Sequence, residues 1–156
     1  MNILGISGSL RAKGINTVAI RDAVPPPGVT FAIYRELADL PHFNPDLDND
    51  SVPQPVVRLR ELFRVADAIL ICTPEYARGV PGSLKNALDW LVSSGELFNK
   101  PVALVNLSSR ATLATASLTE TLQIMSARVT NHDSVAQAFA ALARPASALA
   151  ANRAQA

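Results

Sequence analysis

Residues 68–73, Ala68-Ile69-Leu70-Ile71-Cys72-Thr73, form an unbroken apolar run. The chain then passes through Pro74-Glu75-Tyr76-Ala77-Arg78-Gly79-Val80 into Pro81-Gly82-Ser83-Leu84-Lys85-Asn86-Ala87-Leu88-Asp89-Trp90. A run of that kind reads as a short strand with both faces covered, the habit of parallel sheets. Pro81 and Gly82 open a helix, read over Ser83–Leu91. Residues 68–91 are therefore one strand-loop-helix unit.

The unit repeats on both sides. Asn2–Ile6, Val29–Tyr34 and Pro101–Leu107 are apolar runs of similar length, while Thr17–Val24, Val56–Val65 and Leu113–Met125 carry helical spacing. In the second of those helices Val57, Leu59, Leu62, Phe63 and Ala66 share a face, with Arg58, Arg60, Glu61 and Arg64 mostly opposite. Strand and helix in alternation imply right-handed crossovers and a parallel sheet, hence an α/β, three-layer, doubly wound domain. Pro25, Pro26 and Pro27 end the first helix, and Pro53 and Pro55 precede the second. Glu36–Gln54, with Pro41, Pro45 and Pro53, has no period, and reads either as a functional or interfacial loop or as a surface excursion. A last amphipathic helix spans about Val135–Ala143. Residues 1–144 are expected to form a single domain, and residues 145–156 an alanine-rich tail.

Composition limits the function classes. Fourteen Lys and Arg stand against 13 Asp and Glu in 156 residues, a net charge of +1, which argues against a dedicated nucleic-acid binder. One cysteine forbids an internal disulfide framework. Met1–Ile6 lacks the basic and long apolar regions of a signal peptide, and no apolar run approaches the roughly 20 residues of a membrane span. A cytoplasmic protein that neither enters membranes nor holds nucleic acid is the expectation, and small neutral ligands and anions remain open.

In open parallel sheets ligands bind beyond the carboxyl ends of the strands, which directs attention to three loops. The first runs Gly5-Ile6-Ser7-Gly8-Ser9-Leu10-Arg11-Ala12-Lys13-Gly14-Ile15-Asn16-Thr17, rich in glycine, hydroxyls and cations, with Asn16 as the expected helix N-cap. Its amides, Ser9 and Arg11 suit an anion. The dinucleotide fingerprint fails here, because its three glycine places counted from Gly5 hold Gly5, Ser7 and Leu10. The triphosphate-binding pattern fails as well, since Gly14 is followed by Ile15 and Asn16 rather than Lys and Ser or Thr. A monophosphate clasp fits better, against the plainer reading of an ordinary strand-to-helix turn. The second loop, Thr73–Gly82, has an irregular backbone fixed by prolines and glycines, and Tyr76 suits a flat ligand or a subunit partner. Lys85 and Asp89 are spaced to pair on the helix surface, and Trp90 reads as core or interface. The third, Asn106-Leu107-Ser108-Ser109-Arg110-Ala111-Thr112, offers hydroxyls, amides and a guanidinium for a heterocycle edge or second anion, or simply caps the next helix.

Together these loops resemble the NADPH-dependent FMN reductase family of the flavodoxin-like fold, with its quinone, chromate and azo-compound reductases. Gly8, Ser9, Arg11 and Asn16 match the family's first motif, with Gly14 in place of its second serine. Pro74-Glu75-Tyr76 and the Val80–Trp90 segment reproduce its longer signature, with Ala77 where many members have asparagine. The resemblance implies a five-stranded parallel sheet in the order 2-1-3-4-5. It also implies FMN as cofactor, NADPH or NADH as hydride donor, a ping-pong cycle ending on a quinone, free flavin or other small acceptor, and a homodimer or homotetramer. The flavin phosphate would lie on Ser9, Arg11, Ile15, Asn16 and Thr17, with the ring between Pro74, Glu75, Tyr76, Ala77, Arg78 and Gly79 on one side and Ser108, Ser109 and Arg110 on the other. Arg78 or Arg110 would meet the extra phosphate of the nicotinamide nucleotide. No side-chain acid, base or nucleophile is required.

Glu75, Tyr76, Trp90 and the Glu36–Gln54 loop are the expected interface elements. Cys72 reads as a buried hydrophobe rather than a redox thiol. His42 and His132 lack a ligand cluster or triad, and Asp46, Asp48 and Asp50 lack the glycine and glutamate of a calcium loop. Two other readings of the chain are an electron-carrying flavodoxin and a regulatory or binding protein that has lost the flavin.

Overall fold

The computed structural model describes residues 1–108 and 112–143. The elements are β1 (Asn2–Ser7), α1 (Ile15–Arg21), β2 (Thr30–Tyr34), a 3-10 turn (Pro45–Leu47), α2 (Gln54–Val65), β3 (Ala68–Cys72), α3 (Gly82–Val92), β4 (Pro101–Val105), α4 (Thr112–Ile124), β5 (Arg128–His132) and α5 (Val135–Leu142). All strand pairs are parallel and the sheet order is β2-β1-β3-β4-β5, as the resemblance implied.

The central strand explains the layering. Every residue of β3 is fully buried. Side chains alternate across a strand, so Ile69 and Ile71 face one cluster while Ala68, Leu70 and Cys72 face the other. The first cluster takes Leu59 and Phe63 of α2, Leu84, Leu88 and Trp90 of α3, and Leu118 and Leu122 of α4. The second takes Ile20 of α1 and Ala138, Phe139 and Leu142 of α5. Two packed faces on one sheet give three layers.

Several boundaries differ from the sequence reading. The first helix was expected over Thr17–Val24 with Asn16 as its cap, but α1 starts at Ile15 and its N-cap is Gly14, which has no side chain to cap the helix. Asn16 instead lies buried in the first turn. Helix α1 ends at Arg21, before the three prolines are reached. Pro55 does not precede α2 but occupies its first turn, where a missing N–H removes no helical bond.

The Glu36–Gln54 loop is packed rather than loose. Leu37 and Leu40 are buried in the first cluster. Asn86 Oδ1 accepts from the Phe43 amide at 2.7 Å, while Asn86 Nδ2 (3.0 Å) and Trp90 Nε1 (2.9 Å) both donate to the Pro41 carbonyl. Phe43 meets the Trp90 ring edge to face at 5.0 Å. Farther along, Arg60 donates to Asp48 at 2.8 Å and to the Trp90 carbonyl at 2.7 Å, and the Ser93 hydroxyl donates to Asp48 at 2.5 Å. These contacts hold the Asp48 carboxyl below the usual carboxylate range, the Ser93 hydroxyl first and Arg60 second. The signature residues Asn86 and Trp90 therefore serve the fold. Trp90 is fully buried, so it belongs to the core and not to an exposed interface. Among the described residues no helix is long and apolar enough to cross a membrane.

Candidate functional site

The carboxyl ends of β1 and β3 lie side by side, with Ser7 opposite Cys72 in the ladder. The Gly8 amide continues the pairing by donating to the Cys72 carbonyl at 2.9 Å. A Cβ at Gly8 would stand 2.1 Å from Thr73 Oγ1 and 2.7 Å from its Cβ, so the two loops approach as closely as only glycine allows. Cys72 lies beneath them, fully buried, its thiol pushed up to about 12 by desolvation and donating to Asn16 Oδ1 at 3.1 Å. It behaves as the sequence suggested, as a buried hydrophobe. The side-chain oxygen of Asn16 is thereby engaged inward.

Hydroxyls brace the first loop. Ser7 Oγ meets Thr17 Oγ1 at 2.9 Å, the Ser9 amide donates to Ser7 Oγ at 3.2 Å, and Thr17 Oγ1 donates to the Ser9 carbonyl at 3.2 Å. Ser9, 7% exposed, accepts from the Arg11 amide at 3.2 Å and shares a 3.1 Å hydrogen bond with the Tyr76 hydroxyl. That bond joins the first loop to the second. Ser7 was not singled out from sequence, although it stands in the same hydroxyl-rich run. Ile15 opens α1 with an exposed side chain, so only its backbone faces the task assigned to it.

The second loop is a tight hairpin. Tyr76 and Gly79 exchange both backbone hydrogen bonds, at 3.0 and 2.9 Å, across the central residues Ala77 and Arg78. Both central residues have left-handed backbones, φ 48° and 63°. This is the two-residue turn that favours glycine or asparagine, and each L residue held there costs about 1–2 kcal/mol. Tyr76 is 52% exposed beside the crevice.

Glu75 has a role that the sequence reading missed. Its Oε2 accepts from the amides of Leu113 and Ala114, both at 2.9 Å. The carboxylate thus occupies the N-terminus of α4, where helix amides lack partners and negative charge is favoured. Its side chain is committed to that helix, not displayed for a partner subunit. The signal was present only as an acid in the loop, since the helix it caps begins 37 residues later.

The third loop is partly described. Ser108 is exposed and its amide donates to Asn106 Oδ1 at 3.0 Å. Ser109 and Arg110 lie outside the described residues. Arg11, Lys13 and Arg78 are exposed, and none of them is among the ion pairs of the described residues. His132 is remote in role, its ring bonded to Thr130 at 2.9 Å and its basicity lowered by burial.

Known proteins share this frame. The family model of the NADPH-dependent FMN reductases matches residues 1–141. An NAD(P)H-dependent FMN reductase of Pseudomonas aeruginosa is 38% identical over 113 residues, covering 70% of this chain and 60% of that protein. A quinone reductase of Escherichia coli is 34% identical over 121 residues, covering 74% and 64%. The chain thus spans less than two thirds of the length of these two relatives. Among solved structures, the flavoenzyme NAD(P)H:(acceptor) oxidoreductase FerB of Paracoccus denitrificans superposes with a TM-score of 0.71 at 30% identity, over 85% of this chain and 76% of that one. Fold, signature and family model agree, and the chain belongs to the NADPH-dependent FMN reductase family.

Proposed function

We propose that the chain is an NAD(P)H-dependent flavin reductase acting on a quinone, free flavin or other small acceptor in a ping-pong cycle. The observation that carries this reading is the Ser9–Tyr76 hydrogen bond, which joins a monophosphate-type loop and a hairpin suited to a flat ring at one mouth.

The donor set fits FMN. The first loop offers hydroxyls, the opening amides of α1 without a side-chain cap, and the exposed cations Arg11 and Lys13. That is the chemistry of a phosphate monoester site. When bound, FMN supplies the two-electron exchange, taking hydride from the nicotinamide and handing it to the acceptor. Ser9, Arg11, Thr17 and the amides of Ile15 and Asn16 hold the phosphate and thereby fix the register of the attached ring. The backbone of Pro74–Gly79 forms one wall, with amide hydrogen bonds that keep the hairpin rigid. Ser108 would lie on the other wall, toward the polar edge of the ring. Gly14 removes a side-chain hydroxyl from the phosphate loop, and its loss leaves backbone donors and Thr17 to share the load. Preoriented amides of these loops would offer donors to the polar edge of the ring with little reorganisation.

A cytoplasmic homodimer or homotetramer completes the reading. The half-exposed Tyr76 supports it, since a neighbouring copy would cover that ring. Sedimentation as a monomer would remove this part of the proposal.

The test is spectroscopic. The purified chain is mixed with FMN, its visible spectrum recorded, and NADPH added without oxygen. Bound flavin that bleaches supports the reductase. Bound flavin that stays yellow favours an electron carrier, and absence of binding leaves the third reading, a fold that has lost its flavin.

A further inference from the structure

Two contacts decide what the Ser9 hydroxyl can still do. Ser9 is only 7% exposed, and its Oγ accepts from the Arg11 amide at 3.2 Å and lies 3.1 Å from the Tyr76 hydroxyl. A hydroxyl has two acceptor sites and one hydrogen. With the Arg11 amide on the first site, the Tyr76 contact allows two arrangements. Either Tyr76 donates and the Ser9 hydrogen is free, or Ser9 donates to the phenol and has nothing left to give. The phenol is the more acidic hydroxyl, so the first arrangement prevails once a second acceptor stands at Ser9. The hydroxyl is also well placed for such an acceptor, since a Cβ at Gly14 would lie 3.3 Å from Ser9 Oγ, where the first loop turns into α1.

Tyr76 is held from its own backbone. Tyr76 and Gly79 exchange both backbone hydrogen bonds across the left-handed Ala77 and Arg78. Its neighbour Glu75 is anchored on the amides of Leu113 and Ala114. The phenol therefore reaches Ser9 from a loop braced on both sides.

We infer that Tyr76 is a positioning residue for the flavin phosphate: its hydroxyl donates to Ser9 Oγ, which directs the Ser9 hydrogen to the phosphate and not back to the phenol. This deepens the reductase reading above and rests on it. The bonds from Tyr76 to Ser9 and from Ser9 to the phosphate run in one direction, and each polarises the next. The second loop thereby helps to set the preference for FMN over riboflavin, and Tyr76 acts through Ser9 without touching the phosphate.

The test is a double-mutant cycle on the full chain, read by fluorescence titration with FMN and with riboflavin. Tyr76→Phe keeps the ring, so ring contacts cancel in the ratio of the two affinities. Alone, Tyr76→Phe should lower the FMN-over-riboflavin ratio about fivefold, the scale of one neutral hydrogen bond. Ser9→Ala should lower it about tenfold or more, the scale of a charge-assisted one. In the Ser9→Ala background Tyr76→Phe should change the ratio by less than about twofold, because the residue it acts through is gone. An equal drop in both backgrounds would make Tyr76 a direct phosphate contact or a general support of the loop, and overturns the inference. So does a ratio that Tyr76→Phe leaves unchanged. Wild type separates the two levels. If it prefers FMN while Tyr76→Phe has no effect, only the role of Tyr76 falls. If it binds neither flavin, the reductase reading falls and this inference with it.

Discussion

Helices α1 and α4 both begin at the carboxyl edge of the sheet, and they open in opposite ways. The first turn of α1 has Gly14 as its cap, no side-chain acceptor and no acid, with Arg11 and Lys13 just before it. The first turn of α4 receives the Glu75 carboxylate on two amides at 2.9 Å. Both helix starts have N–H groups without a partner inside the helix and favour negative charge. The start of α4 receives an anion from the chain, and the start of α1 receives none from the described residues. The contrast supports the proposed phosphate site at α1, while α4 uses its end to tie the hairpin loop down.

The sharpest way to break this contrast is Gly8→Ala. Its new methyl would meet Thr73 Oγ1 at 2.1 Å, so the loop that leads into α1 must move away from β3. Overpacking of this kind costs about 3 kcal/mol, read as a lowered urea midpoint together with lost flavin binding. Near-wild-type stability would show that the two loops do not need their close approach. Next, Arg11→Ala should weaken FMN by about 1.5–3 kcal/mol, or roughly 10- to 100-fold, because a charge-assisted phosphate contact disappears. An unchanged dissociation constant in fluorescence titration would refute the phosphate assignment.

On the other side, Glu75→Ala should destabilise the fold by about 2 kcal/mol by uncovering the α4 amides. Glu75→Gln, which keeps an acceptor, should recover part of that loss. Hydrogen exchange at Leu113 and Ala114 is the direct readout, and protection that survives in Glu75→Ala would contradict the cap. Between the two helices, Ala77→Asn should stabilise the hairpin by about 1 kcal/mol or less, since asparagine tolerates a left-handed backbone better than alanine. A drop in melting temperature would argue against the strain.

The smallest effect lies away from both helix starts. Asp48 has its carboxyl lowered by the Ser93 hydroxyl and Arg60. A lowered folded value means that its contribution is present above the unfolded carboxylate value of about 3.9, and is lost as pH falls through the folded one. Asp48→Asn should therefore melt lower than wild type near neutral pH, with the gap closing in acid. A gap that does not depend on pH would place the effect elsewhere.

The sequence made the buried parts legible. Ala68–Cys72 shows a strand covered on both faces, and the Val80–Trp90 signature is specific enough to identify the family. Strand β5, Arg128–His132, was not read from its residues, because it is a half-exposed edge whose one aliphatic side chain is Val129. Its existence came only through the resemblance. At the site, Ser9 and Arg11 were read as phosphate donors from their types and Thr17 through the resemblance, and the structure shows the hydroxyls of Ser9 and Thr17 bracing the loops. Asn16 was misplaced as a cap because asparagine favours that position, but a partner 56 residues away, Cys72, draws its side chain inward. The same limit hid Glu75, whose acceptor role depends on a helix brought beside it by the β3-α3-β4 crossover. Local preference does not register such partners.

Riboflavin isolates the contribution of the proposed phosphate site at α1. Riboflavin has the same ring as FMN and lacks the phosphate, so parallel titrations of the chain with both measure what that group contributes. Two or more charge-assisted contacts predict that FMN binds about 100-fold or more tightly than riboflavin, with the difference shrinking in Arg11→Ala. Equal affinity for the two flavins would contradict the phosphate site.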